Sequence, residues 1–134
     1  FDGRFRTCYP QDVIDMHFDL ILGEPRELER QRGNDSAPFD GTRVLEHGSP
    51  DLVLIDRGMH AEKVMQRQTH NWVLLYQDEI AQLWGRATTY NDPESEQYIA
   101  ASERRISDAK QVGSVSWPAI PTRRHSSSKV VATR

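Results

Sequence analysis

The chain has 134 residues, of which 37% are apolar and 28% are charged, and its formal net charge is −3. This length is sufficient for one domain with its own core, and the mild acidity gives no reason to expect nucleic acid as a partner. Cys8 is the only cysteine, which excludes an intrachain disulfide and a thiolate zinc site. The longest apolar runs are too short to predict a membrane span.

Charge is unevenly distributed along the chain. Residues 113–134 hold four basic residues and no acidic one, so this basic tail carries +4. Residues 1–112 therefore carry −7. An acidic body with a basic tail is typical of chains whose tail binds an acidic surface.

Helical periodicity predicts a first helix over residues 11–22, because its apolar positions recur three and four residues apart. Pro10 is typical of a helix start and Gly23 of a helix end. Three aspartates lie on another face of this helix, namely Asp12, Asp15 and Asp19. We expect that face to be solvated.

The central part of the sequence predicts strands. Residues 52–56 are typical of a buried strand, and residues 59–65 are expected to return beside it as a hairpin. Residues 69–90 give the strongest β signal, with aromatic and β-branched residues on both sides of a turn. A helix over residues 69–83 is the alternative. The sequence at 91–94, Asn-Asp-Pro-Glu, then predicts a helix that runs to about residue 111.

These elements predict an α+β fold. A small hairpin-rich sheet, antiparallel or mixed, would pack against two main helices, 11–22 and 93–111. The predicted organisation is an N-terminal arm at 1–9, a single domain at 10–112 and the basic tail at 113–134.

The stretch GSPDLVLIDRGMHAEKV, residues 48–64, resembles the metal-binding arm of the PD-(D/E)xK nucleases. In that group a Pro-Asp ends a loop, a hairpin follows, and an acid-x-lysine closes the site. Asp51 and Glu62 match the two carboxylates that would hold a divalent metal. Position 64 holds Val64 where the lysine is required, and Lys63 comes one residue early. The resemblance implies a metal-dependent nuclease site at Asp51 and Glu62.

Residues 69–90 resemble the long hairpin of the cone-shaped fold shared by scytalone dehydratase, ketosteroid isomerase and SnoaL-like proteins. Thr69, His70 and the turn at 78–81 carry the similarity. It implies a small pocket enzyme in which His70 acts as general base, oriented by a nearby carboxylate. The last long strands of that family should follow the hairpin, where this sequence instead predicts a helix and a basic tail.

The arm and the basic tail are the predicted binding segments. Polar chain ends become ordered only where contacts offset the loss of backbone entropy, roughly 1–2 kcal/mol per residue. The body is small for holding both ends, so we expect a neighbouring chain to supply those contacts. The predicted interface residues are Phe1, Phe5, Trp117, Ile120, Arg123, Arg124, Val130 and Val131. The alternative is that the tail wraps its own domain and ends as an edge strand at 129–133.

Together these features predict a non-catalytic structural or accessory subunit of a larger protein assembly. It would dock on other protein subunits through its arm and tail, and the charge of the tail predicts an acidic surface on that partner. The sequence contains no phosphate-binding loop, nucleotide fingerprint or nucleophile elbow, so we expect no cofactor.

The first residue is Phe1 rather than methionine. This predicts a processed product or a fragment, which removal of an organellar presequence would explain. We therefore expect an intracellular location, with the mitochondrion as the specific hypothesis.

Overall fold

The structure is a computed structural model that describes residues 8–24, 30–110 and 112. Its described part has an α+β fold, which confirms the predicted class. The basic tail and most of the arm lie outside the described residues. All eight predicted interface residues are among those outside it, as is the edge strand expected at 129–133.

The first helix, α1, spans Gln11–Leu22 as predicted. The carbonyl of Pro10 accepts hydrogen bonds from the amides of Val13 and Ile14, at 3.0 and 3.2 Å, which starts the helix. Gly23 ends it with a φ of 84°. That left-handed conformation is favourable for glycine, so the sequence signal at this position had a direct structural cause.

Strand β1 spans Leu52–Asp56 as predicted, but only Ile55 of it is buried, so the expectation of a buried strand was wrong. The segment after it is a helix. Helix α2 spans His60–Arg67, so the prediction of a returning strand at 59–65 was wrong. The buried residues of α2 are Ala61, Val64 and Met65, spaced three and four apart. In a segment of eight residues this helical stripe is easily mistaken for strand alternation.

The hairpin predicted within residues 69–90 is confirmed, although its second strand ends at Arg86 and residues 87–90 form a short helix instead. The alternative helix over 69–83 was wrong. Strand β2 spans Trp72–Gln77, and strand β3 spans Ala81–Arg86, antiparallel to it. The carboxylate of Asp78 closes the turn, because its Oδ1 accepts the amides of Ile80 and Ala81, both at 2.8 Å.

The sheet order is β1-β3-β2-β4, where β4 is the short strand Arg105–Ile106. Strand β3 is antiparallel to both β1 and β2, and β4 is parallel to β2. Strands β1 and β2 are therefore parallel, joined through α2, with β3 inserted between them. This is a split β-α-β arrangement, and it leaves β1 at one edge of the described sheet.

The predicted helix over 93–111 was wrong. A short helix, α3, spans Ala87–Tyr90, and turns occupy most of 91–104. Asp92 and Ser95 explain the difference, since their side chains accept backbone amides two residues ahead, at 3.0 and 3.2 Å. Such local hydrogen bonds compete with helix formation, and the few apolar residues of this segment could not compensate through packing.

The core lies between the sheet and helices α1 and α2. Its buried members are Leu20, Leu45, Ile55, Ala61, Val64, Met65, Trp72 and Trp84. On the opposite face of the sheet, α3 packs closely over Gly85. A Cβ atom at that position would lie 2.4 Å from Tyr90 Cδ2 and 2.7 Å from Leu75 Cδ1. Only glycine therefore allows this approach without displacement of a neighbour.

The helices of the described ranges are short, and α1 is the longest at 12 residues. None of them is long and apolar enough to cross a membrane, which takes roughly 20 apolar residues.

Candidate interaction site

Helix α1 presents its three aspartates towards the loop at 30–43. Asp15 is 1% exposed and Asp19 is 0% exposed, so the expectation of a solvated face was wrong for these two residues. Buried carboxylates persist only when other groups compensate their lost hydration. The loop supplies those groups.

Asp19 holds two arginines of the loop. Nη2 of Arg30 lies 2.6 Å from Asp19 Oδ1, and Arg32 donates to the same oxygen. The amide of Asp40 donates to Oδ2 at 3.4 Å. The two guanidinium groups compensate the buried charge and fix the start of the loop to the helix, and the Asp40 amide fixes a later part of it.

Asp15 holds the middle of the loop. Its Oδ2 accepts the Ser36 hydroxyl at 2.6 Å and the Gly33 amide at 2.8 Å, while Gln11 donates to Oδ1 at 3.1 Å. Burial raises the pKa of Asp15, but the hydrogen bonds from Ser36, Gly33 and Gln11 outweigh it, so the pKa lies below its ordinary value. The carboxylate therefore stays charged at neutral pH and acts as a structural acceptor.

Asp12 anchors the end of the loop. Arg43 donates to both oxygens of Asp12, at 2.7 and 3.2 Å, and the amide of Ala37 donates to Oδ1 at 3.0 Å. The hydrogen bond from Arg43 is the main reason that the pKa of Asp12 is lowered. Arg43 begins a 3-10 helix, Arg43–Leu45, whose last residue enters the core. The aspartates thus position the chain that faces β1.

Arg86, at the end of β3, holds the next part of that chain. It donates to the carbonyls of Leu45 and Pro50, at 2.5 and 3.1 Å, and forms an ion pair with Glu46. Its guanidinium also stacks on the ring of Trp72, 4.5 Å from the centroid. One side chain therefore fixes the segment that leads into the edge strand.

Within the described residues, the outer edge of β1 carries backbone groups that no other strand pairs with. The amide of Arg57 donates to the Ile80 carbonyl at 2.8 Å, and the amide of Arg86 donates to the Asp51 carbonyl at 3.0 Å. Hydrogen-bonded pairs alternate along an antiparallel ladder, so Leu52, Leu54 and Asp56 direct their amides and carbonyls away from β3. Among the described residues, no strand pairs with this edge.

A groove of about 260 Å³ runs along that edge, and we call it the β1 groove. It is lined by His17, Leu20, Ile21, Val44, Leu45, His47, Pro50 and residues 52–55. Alternate residues of a strand point to opposite faces. A groove that touches four consecutive residues of β1 therefore follows the backbone edge of the strand, with α1 as its other wall.

The outer face beside the groove is apolar and exposed. Leu54 is 69% exposed and Leu52 is 45% exposed. Leu54 lies opposite the half-buried Leu83 on β3, so the apolar surface extends inward across the sheet. Open backbone groups beside exposed leucines form an edge to which another strand can pair.

The two carboxylates of the nuclease resemblance lie at opposite ends of β1. The carbonyl of Asp51 pairs with the amide of Arg86 on β3, whereas Glu62 accepts the side-chain amide of Gln82 at 3.1 Å. Arg86 and Gln82 are four residues apart on one strand, which separates them by about 13 Å. In the described part of the chain, no cluster of three or more histidine, cysteine or acidic residues is arranged to hold a metal.

His70 lies in the turn between α2 and β2 and is exposed. It is not among the residues that line the β1 groove or the two larger cavities, which measure about 450 and 400 Å³. The first of these cavities lies beside Gly33 and the second beside β4.

The β1 groove and the aspartate cluster were not predicted as a unit. Asp12, Asp15 and Asp19 have the spacing of one helix face, and four arginines follow within the next 24 residues, three of which, at 30, 32 and 43, bind two of these aspartates. This match of charges was the available signal for the loop contacts. The groove left no comparable signal, because its residues come from three separate segments.

Comparisons with known proteins give no relative from which to transfer a role: no family model, no curated protein and no solved structure matches the chain.

Proposed function

We propose that the chain is a non-catalytic subunit of a larger protein assembly, which binds neighbouring proteins through its basic tail, its arm and the edge of β1. The open edge of β1 carries the proposal, because an unpaired strand flanked by exposed leucines is a protein-binding feature. The binding roles of the arm and the tail in this proposal rest on the sequence alone. Their partner would be a protein with an acidic surface.

The buried acids support a structural role. Asp15 and Asp19 accept hydrogen bonds from the loop and are closed to solvent, which suits them to holding the fold. The enzymatic alternatives rest on groups that are spread out on the surface. His70 is exposed, and Asp51 and Glu62 lie at opposite ends of a strand.

Limited proteolysis combined with a mass measurement tests the proposal. Trypsin cleaves after Arg123, Arg124 and Lys129 in the tail. We expect rapid cleavage there when light scattering gives the monomer mass of 15.4 kDa, and slower cleavage once the chain associates with a partner. A 15.4 kDa monomer whose tail resists trypsin as well as its core does would contradict the proposal.

A further inference from the structure

The β1 groove has the form of a peptide-binding site. One wall is a strand edge whose outward amides and carbonyls meet no strand in the part of the chain that the structure describes, and the other is a helix that contributes His17, Leu20 and Ile21. An extended segment placed there would continue the sheet through backbone hydrogen bonds and would insert alternate side chains into the apolar groove. Its remaining side chains would lie against Leu54 on the outer face.

The acidic charges around the groove favour a basic segment as its occupant. Asp51 and Asp56 are exposed at the two ends of β1, whereas the nearby Glu46 is already paired with Arg86. Residues 1–112 carry −7 in total. An apolar strand with positive charges at its ends would match both features.

The basic tail contains such a segment. Residues 129–133 read Lys-Val-Val-Ala-Thr, with Arg134 directly after them. Two adjacent β-branched valines suit a strand that inserts one side chain in a groove and places the other on the opposite face. The remainder of the tail, from 113 to 128, has 16 residues and spans up to about 50 Å when extended.

We propose that residues 129–133 of a second copy of this chain add to β1 as a fifth strand and fill the β1 groove. The second copy, rather than the same chain, is assigned because the inference rests on the proposed function, in which the tail binds a neighbour. The chain leaves the sheet at β4, the edge opposite β1. Three strand spacings of about 4.8 Å separate the two edges, a distance that the tail of the same chain could also span, so the mass in solution decides between the two copies.

Two complementary variants test this proposal. In the edge variant, Leu54→Lys places a positive charge at the exposed centre of β1, where it would repel a basic strand. In the tail variant, Val130→Asp and Val131→Asp remove the apolar side chains of the added strand. The matched control is Ile106→Lys, which changes an apolar residue that is 51% exposed on the opposite edge.

Light scattering over a concentration series gives the readout. We expect the natural chain to associate, and each variant to associate at least tenfold more weakly while the control is unchanged. An equimolar mixture of the two variants should form a heterodimer with twice the mass of the 15.4 kDa chain. The edge variant supplies an intact tail, and the tail variant supplies an intact edge. Backbone amides of Leu52, Leu54 and Asp56 should gain protection from hydrogen exchange as the natural chain associates.

Other results would overturn the proposal. Association that survives Leu54→Lys but is lost on removal of residues 113–134 would place the tail elsewhere on a neighbour, and the proposed function would stand. A natural chain that stays at 15.4 kDa with protected amides at β1 would place the tail on its own body, and both proposals would fail. A monomer with unprotected β1 amides would remove the second copy as the occupant and leave the proposed function intact.

Discussion

The carboxylate of Asp19 and the guanidinium of Arg30 form a buried ion pair, with the arginine Nη2 2.6 Å from Oδ1 of the aspartate. The aspartate is fully buried in the middle of α1, and the arginine comes from the loop that follows. Through this pair and its neighbours, a polar loop becomes a fixed part of the fold. The loop in turn leads into the chain that walls the β1 groove.

Replacing Asp19 should therefore destabilise the whole domain. Asp19→Asn leaves the partly buried Arg30 and Arg32 without the carboxylate that they share, and we expect a loss of about 3 kcal/mol in the free energy of unfolding. Urea unfolding measures this loss of stability. The matched control is Asp35→Asn, an exposed aspartate of the same loop, which should change stability by less than about 0.5 kcal/mol. Equal effects at the two positions would show that the buried pair does not hold the loop.

The sequence predicted those parts of the fold that local signals determine. Helix α1 has a strong apolar period and is bounded by Pro10 and Gly23, and the β2–β3 hairpin has aromatic residues on both strands. Helix α2 was mistaken for a strand, because eight residues are too few for period alone to distinguish the two. The segment after Asn91 was mistaken for a helix, because capping residues also form turns when no apolar face supports a helix.

The candidate site was harder to predict, since it depends on tertiary contacts. Asp51 and Glu62 match the two carboxylates of the nuclease resemblance, and the fold places them at opposite ends of a strand. Asp15 and Asp19 were expected in solvent, and partners 11 to 21 residues away bury them. Whether a carboxylate is buried depends on tertiary contacts with residues far away in the sequence. The sequence of the helix alone does not reveal those contacts.

Stability should fall on mild acidification because of His17, which lines the β1 groove. Burial lowers the pKa of His17 from 6.5 to about 4. The unfolded chain therefore binds this proton more readily, and the free energy of unfolding should decrease as the pH falls from about 6.5 towards 4. Below that range, protonation of Asp15 and Asp78 should add a second loss, since hydrogen bonds hold both pKa values below their ordinary value.

Urea unfolding at pH 7 and pH 5 checks the contribution of His17. In His17→Gln the difference between the two pH values should shrink, because glutamine does not titrate. His70→Gln is the matched control, since His70 is exposed, and it should keep the pH dependence of the natural chain. An unchanged pH dependence in His17→Gln would show that this histidine is not the responsible group.

Gly85→Ala should destabilise the sheet where α3 crosses it. The new methyl group would lie 2.4 Å from a ring carbon of Tyr90, so one of the two must move. We expect a cost of about 1–3 kcal/mol, as for other overpacked sites. A double-mutant cycle with Tyr90→Ala isolates the contact: Gly85→Ala should cost clearly less in the Tyr90→Ala background. Equal costs in both backgrounds would place the strain elsewhere.

Arg86→Lys should be damaging although it keeps the charge. Lysine cannot reproduce the bonds to the Leu45 and Pro50 carbonyls together with the stack on Trp72. We expect a loss of about 2 kcal/mol in the free energy of unfolding and a change in tryptophan fluorescence. Arg105→Lys, at an exposed arginine of β4, is the control and should behave like the natural chain. If both variants have the same stability, Arg86 does not organise the segment before β1.

Hydrogen exchange of residues 113–134 shows whether the tail needs a neighbour to become protected, when it is measured at a dilution where light scattering gives 15.4 kDa. We expect the tail amides to exchange as fast as those of an unfolded peptide, while core amides such as that of Trp84 stay protected. Protection of the tail should appear only on association. A monomer whose tail amides are as protected as its core would contradict a subunit that binds its neighbours through that tail.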